Sequence, residues 1–332
     1  MISFMEQPVF RGPVFVVGLS RSGTKLLRDI LNRHPLIGIP RSESFFIPRL
    51  LREESRNRLP TDLGAKERTT RFLRGTGFYK NLARKGQEPS QEALSALVAQ
   101  DSWTEVVESV FRFYIDDPQE RKIWGDKTPT YLRHMLLLKK HFPQGRFLHI
   151  YRDPRDRALS ANKAWGANIF VAAQAWREGM QAAVRQEAEL GDCLHSVAYE
   201  ALTGDPEAQV RRICAFLGVD FQWQMLELTQ PVEQRGDPEH PTRRSGKIVA
   251  GNVARYREQL TPEQLARIER LVFPVAEHFG YSSDTAATRT LTLGAMERLR
   301  YYPAHYVNGL ALFLKRWGLR GGIRQALLRF RL

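Results

Sequence analysis

Apolar residues in this chain come as short unbroken runs separated by longer amphipathic stretches. Residues 13–18 (PVFVVG) lead straight into a Gly/Ser-rich turn and a helix-patterned stretch from Lys25 to Arg33. A run that is apolar at every position is the pattern of a strand buried on both faces of a parallel sheet. Comparable runs stand at Lys122–Trp124, at Arg146–Tyr151 (RFLHIY) and at 194–199 (LHSVAY), and LIGI at 36–39 also reads as strand. Between them lie amphipathic helices. One covers 130–142. A second covers 205–218, with Asp205 as N-cap, Pro206 in the first turn and Gly218 just past the end. Thr261, Pro262 and Gln264 open a third, which Gly280 closes.

Strands alternating with helices predict an α/β fold with a doubly wound, mostly parallel sheet of about five strands and flanking helices. Residues 50–120 interrupt the alternation and read as a helical insertion, with a capping box at Ser102–Glu105 opening one of its helices. The expected organisation is one domain over 8–285 and an extension over 286–332. There is no internal repeat and no low-complexity segment.

Composition narrows the class. The chain has 332 residues, 42% of them hydrophobic, which excludes a disordered chain and a fibre. Its two cysteines, Cys193 and Cys214, cannot frame a disulfide scaffold and fit a reducing compartment. No window approaches the ~20 apolar residues of a transmembrane helix. The start, MISFMEQPVFRGP, lacks the long apolar run of a signal peptide. The expectation is a cytoplasmic protein. The net charge of +14 is unevenly placed. Residues 41–86 hold 12 basic and 5 acidic residues, and residues 295–332 hold 8 basic and one acidic, so each carries +7 and the rest is neutral. A uniformly basic nucleic-acid binder does not have this distribution, and no nucleic-acid partner is expected.

Two turns carry the candidate chemistry. Gly18-Leu-Ser-Arg21-Ser22-Gly23-Thr24-Lys25 stands between the first strand and the first helix. Backbone N–H groups at such a turn, with the helix N-terminus, make an anion cradle. Arg21 and Lys25 add charge, and Ser22 and Thr24 add hydroxyls. The competing pattern is the P-loop, G-x-x-x-x-G-K-[ST]. Gly18 and Gly23 have its separation, but Thr24-Lys25 follow where Lys and a Mg²⁺-ligating Ser/Thr are required. The second turn is Tyr151-Arg152-Asp153-Pro154-Arg155-Asp156-Arg157-Ala-Leu-Ser160 at the end of RFLHIY. Ligands of doubly wound sheets bind at the carboxyl ends of strands. Arg152 there, with Ser160 two turns into the next helix, could hold a second phosphate. A salt-bridged helix start is the competing explanation.

Together, RSGT…LL after strand one and RDPRDxxxS after a later strand resemble the PAPS-dependent sulfotransferases (PAPS is 3′-phosphoadenosine 5′-phosphosulfate). The pattern is nearest to the tyrosylprotein and heparan-type enzymes and their bacterial relatives. The resemblance covers about 13–281, including VAYEALTGDPEAQVRRICAFLGVDF. It implies a P-loop-like phosphosulfate turn in which Arg21, Ser22, Gly23 and Thr24 hold the 5′ end. It places Arg152 and Ser160 on the 3′-phosphate and Tyr199 on the adenine. Lys25 stands where the family usually has a second Thr. Arg243, Arg244 and Lys247 fall where the family often folds a basic loop over the 3′-phosphate.

A catalytic base and a leaving-group cation complete the expectation. Glu43, in Pro40-Arg-Ser-Glu43-Ser-Phe-Phe after His34-Pro35, resembles the base segment of the tyrosylprotein and heparan-type enzymes, one residue further from Arg21. Lys127, in Trp124-Gly-Asp-Lys127-Thr-Pro after a strand, can reach a bridging oxygen and stabilise its charge. His149 lies within RFLHIY and reads as a core residue, and neither His134 nor His141 sits in a segment resembling the His-base motif of the cytosolic small-molecule sulfotransferases. The chain is therefore expected to be a sulfotransferase moving the sulfuryl group of PAPS to a hydroxyl acceptor, with no metal required. Glu43, Lys127 and Arg21 would be catalytic. The rivals are a P-loop-like nucleotide kinase and a non-catalytic nucleotide- or membrane-binding module. The +7 at 41–86 suits an anionic glycan or lipid headgroup as acceptor. The basic tail suits either a membrane surface or a helix packed on the domain.

Overall fold

The computed structural model describes residues 10–54, 63–83, 86–117, 122–228, 248, 253–286 and 290–330, the side chains of 63, 65, 313 and 315–330 excepted. Five strands, β1 (Val14–Gly18), β2 (Ile37–Gly38), β3 (Ile123–Lys127), β4 (Arg146–Tyr151) and β5 (Leu194–Ala198), form one sheet in the order β2-β3-β1-β4-β5. Every neighbouring pair is parallel. β1 is central because it is apolar on both faces. Phe15 and Val17 face one helical layer, in a cluster with Phe147, Phe111, Leu138 and Trp176. Val14 and Val16 face the other, with Leu148, Ile150, Leu27 and Ile213. The period of two along the strand thus builds two cores back to back.

The helix α1 (Thr24–Leu31) follows β1. Between β2 and β3 lie α2 (Ile47–Glu54), α3 (Leu63–Gly75), α4 (Gly77–Ala83), α5 (Gln91–Leu97) and α6 (Trp103–Tyr114). Ser102 caps α6 through the reciprocal bonds of a capping box with Glu105. A 3₁₀ turn (Pro129–Arg133) and α7 (Met135–His141) lead into β4, and α8 (Pro154–Trp165) with α9 (Ile169–Leu190) connects β4 to β5. Then follow α10 (Tyr199–Gly204), α11 (Pro206–Leu217), α12 (Tyr256–Gln259), α13 (Pro262–Val272), α14 (Val275–His278) and α15 (Ala295–Phe330). The first half of α15 passes the end of α8 so closely that a Cβ on Gly166 would meet the Asn308 carbonyl oxygen at 2.8 Å.

Three expected elements differ in detail. β3 continues through the polar Gly-Asp-Lys, so Lys127 is the last residue of the strand rather than a turn residue after it. Backbone pairing with β1 drives this, and Gly125 permits it, since a Cβ there would lie 2.4 Å from the Val14 carbonyl oxygen. The helix expected over 130–142 is split at His134. The helix expected from 261 to 280 ends at Val272, because Pro274 cannot continue the hydrogen-bond ladder. Both cysteines are free. Among the described residues no helix is long and apolar enough to cross a membrane.

Candidate active site

The turn from β1 to α1 has the geometry of a phosphate cradle. Gly23 sits at φ 97°, and a Cβ there would lie 2.7 Å from the Tyr199 ring, so only glycine fits. It caps α1 with no side-chain hydrogen bond, leaving the first-turn N–H groups without an intrahelical acceptor. Ser22 Oγ is buried and has no hydrogen-bond partner among the described residues. Orphaned buried hydroxyls cost free energy unless a ligand satisfies them. Thr24 lies beside it, buried at the first position of α1. An oxyanion fits this donor set.

The second turn is stitched to the first. Asp153 caps α8, with its side chain accepting from Arg155 N–H, and Pro154 occupies the first helical turn. Arg21 Nε donates to Ser160 Oγ at 3.1 Å, across 139 residues of sequence. Arg152 Nη1 donates to the Arg21 carbonyl at 3.5 Å, and its guanidinium lies 4.6 Å above the Tyr199 ring. These ties hold Arg21 in the left-handed region at φ 78°, where a non-glycine residue is strained. Arg21, Ser22, Gly23, Thr24, Arg152, Ser160 and Tyr199 therefore form one cluster at the carboxyl ends of β1 and β4. Burial raises the Tyr199 hydroxyl above its ordinary pKa, so that ring stays neutral.

The second cluster lies at the end of β3, next to β1. Lys127 Nζ donates to Glu43 Oε1, with the lysine 1% exposed and the glutamate 29%. Burial lowers the Lys127 pKa and the Glu43 carboxylate opposes that; Arg28 and Lys25 lower it further by repulsion. Ser44 and Thr128 hydroxyls donate to the two oxygens of Asp126, whose carboxyl burial pushes up to about 7 against those bonds.

Several contributors escaped the sequence reading. Arg28, fully buried, donates to the Arg41 carbonyl at 3.0 Å and so holds the loop that carries Glu43. Arg157 does the same for the cradle, through the Ser20 carbonyl at 3.2 Å. Trp165 lies 5.6 Å from the Arg21 guanidinium. Arg157 was visible within RDPRDRALS, but a buried arginine on a carbonyl has no local signature. His149 is a core residue, as expected, and burial depresses its pKa to about 3. Arg243, Arg244 and Lys247 lie outside the described residues. Among the described residues no group of three or more His, Cys, Asp or Glu could hold a metal ion.

Fold and site define the class: a parallel α/β domain with a P-loop-like anion cradle and a carboxylate–lysine pair at the adjacent strand end. The sulfotransferase family profile matches residues 13–223, which span all five strands and both turns, and the chain belongs to that family. It is 24% identical to protein-tyrosine sulfotransferase A of Caenorhabditis elegans, over 85% of this chain and 66% of that one. The chain spans at most 66% of the curated relatives it matches first, and 32% of an uncharacterized protein of Aquifex aeolicus. Among solved structures it resembles the sulfotransferase domain of the Synechococcus PCC 7002 olefin synthase, at 24% identity and TM-score 0.55, over 83% of this chain and 98% of that one. The sulfotransferase domain of the curacin biosynthetic pathway follows at 18% identity and TM-score 0.54, over 82% and 98%. These likenesses establish a P-loop-like sulfotransferase fold.

Proposed function

We propose that the chain transfers the sulfuryl group of PAPS to a hydroxyl acceptor by direct in-line displacement. The observation that carries this reading is the Glu43–Lys127 pair beside the cradle, a base and a cation set next to a phosphate site. Glu43 takes the proton of the acceptor hydroxyl as its oxygen attacks sulfur. The bond from sulfur to the bridging oxygen breaks, and 3′,5′-ADP leaves. Lys127 and Arg21 stabilise the charge that develops on the leaving and sulfuryl oxygens. Ser22, Gly23, Thr24 and Lys25 hold the 5′ end, and Arg152 with Ser160 binds the 3′-phosphate beside Tyr199. No residue is assigned to a metal, since Lys25 stands where a P-loop carries its Mg²⁺ ligand.

The test is ligand-dependent thermal stabilisation. A ligand at about 100 times its Kd adds roughly 2.7 kcal/mol to the native state, several degrees in a domain of this size. 3′,5′-ADP should raise Tm clearly more than either ATP–Mg²⁺ or 5′-AMP. Arg152→Ala should erase the preference over 5′-AMP, because a phosphate monoester carries about −1.5 to −2 charges that this arginine meets. Stronger stabilisation by ATP–Mg²⁺ would point to a nucleotide kinase instead.

The acceptor is proposed to be anionic, an acidic glycan or a lipid headgroup. Arg41, Arg49, Arg52, Arg68, Arg71 and Arg74 all lie exposed on the segment that begins at Glu43's loop. A cleft of one sign concentrates opposite charge. With a Debye length of about 8 Å at physiological salt, kcat/KM for the true acceptor should fall markedly from low to physiological ionic strength. A flat profile assigns the arginines to solubility alone.

A further inference from the structure

Beneath the Glu43–Lys127 pair lies a buried hydrogen-bond cluster that neither turn explains. Ser44 Oγ donates to Asp126 Oδ2 at 2.7 Å, and Thr128 Oγ1 donates to Asp126 Oδ1 at 3.1 Å. Ser44 N–H donates to Thr128 Oγ1 at 3.0 Å. The Tyr131 hydroxyl lies 2.6 Å from Ser44 Oγ and accepts from Ile47 N–H at 3.1 Å. A serine hydroxyl has a single proton. With the Asp126 carboxylate ionised, Ser44 gives its proton to Asp126 and Tyr131 in turn donates to Ser44, so the hydroxyl protons of the cluster point toward Asp126. Ser44, Asp126, Thr128 and Tyr131 are each at most 1% exposed.

The placement is what gives the cluster meaning. Ser44 adjoins Glu43, and Asp126 and Thr128 flank Lys127. The bonds therefore join the two backbone segments bearing the proposed base and its cation, 82 and 84 residues apart. The loop does not hold itself in place by local preference, since Phe45 sits at φ 55°. Non-glycine residues in that region persist only where tertiary contacts impose them. Burying a carboxylate is costly unless it is fully hydrogen-bonded. Here it ties loop to strand directly beside the two reacting groups.

We propose that Asp126 is a positioning residue: by accepting the Ser44 and Thr128 hydroxyl protons it locks the Glu43 loop onto the end of β3 and fixes the Glu43 carboxylate against the Lys127 ammonium. The proposal rests on the sulfuryl-transfer reading above. Misplacement by about 1 Å can cost ~10²-fold in rate, so the clamp acts on kcat and through Glu43.

The experiment uses Ser44→Ala and Asp126→Asn, alone and combined with Glu43→Gln. Donor affinity is read from 3′,5′-ADP titration. Transfer is read from PAPS to a panel of 4-nitrophenol, an acidic tyrosine peptide, a long-chain alcohol and desulfated heparan. Each single variant should bind 3′,5′-ADP like the wild type and lose kcat by about tenfold or more. Residues that act through one another are non-additive. In the Glu43→Gln background Ser44→Ala should therefore cost almost nothing further. Equal losses in both backgrounds, or a lower Tm with kcat unchanged, would overturn the positioning role. Should Asp126→Asn not fold, Ser44→Ala removes one hydroxyl and no charge and carries the test. If the wild type prefers no 3′-phosphorylated nucleotide and transfers to no acceptor, the sulfotransferase reading itself fails, and the clamp's role with it. That failure is visible before any substitution is made.

Discussion

Glu43→Gln should bind 3′,5′-ADP as tightly as the wild type and turn over ~10²-fold more slowly or worse. Glutamine keeps the shape of the side chain and can still accept one hydrogen bond from Lys127 Nζ, so the ion pair is weakened without leaving a hole. It cannot take a proton. The carboxylate is 29% exposed at its side chain, so water stays available to the amide and no large folding penalty follows. The proposed donor cradle comprises the β1–α1 and β4–α8 turns, and Glu43 belongs to neither. Turnover measured under chemistry-limited conditions, alongside nucleotide titration, separates these effects. Near wild-type kcat would reduce Glu43 to a structural partner of Lys127. Weakened nucleotide binding would move it into the cradle.

The framework of the fold was legible because its central strands β1 and β4 are largely buried and read as mostly apolar runs, while the part-buried edge strand β5 shows a weaker version of the same pattern. PVFVVG, RFLHIY and LHSVAY all became parallel strands. β3 was only half legible. Its second part, Gly125-Asp126-Lys127, is polar in sequence yet buried in the sheet. Those side chains find their partners on Glu43 and Ser44, more than 80 residues away. Periodicity cannot register a polar strand end whose satisfaction is long-range. The same limit hid the stitching of the two turns. Arg21 and Ser160 each lie in a readable motif, but their direct hydrogen bond joins residues 139 apart in sequence, after the neighbouring strands β1 and β4. Helix ends were better read where the signal is local, as at Ser102, Asp205 and Thr261, each of which caps its helix through its own side chain. The break before Pro274 is equally local, since proline cannot extend the helix that Thr261 opens.

Lys127→Met should fold and bind the nucleotide, and should lose ~10²–10³-fold in kcat, the scale on which a preorganised charge stabiliser acts. The lysine is 1% exposed. Taking its charge out of water is costly, and a methionine of similar length fills the same space without that cost. The partner left behind, Glu43, keeps contact with solvent, so removing Lys127 does not strand a fully buried anion. Stability should hold or rise while rate collapses, a combination that loss of packing cannot produce. The pH dependence carries an independent signature. Burial lowers the Lys127 pKa below the ordinary lysine value of 10.5. In the wild type, kcat/KM should therefore decline on an alkaline limb that begins below that value, as the ammonium loses its proton. The sign for stability is opposite. Between the lowered pKa and 10.5 the unfolded chain binds more protons at this site than the native one, so this site's contribution to stability rises with pH across that window. Lys127→Met should abolish both trends together. An alkaline limb that survives the substitution would assign it to another group, and a kcat within a few-fold of wild type would remove Lys127 from the leaving oxygen.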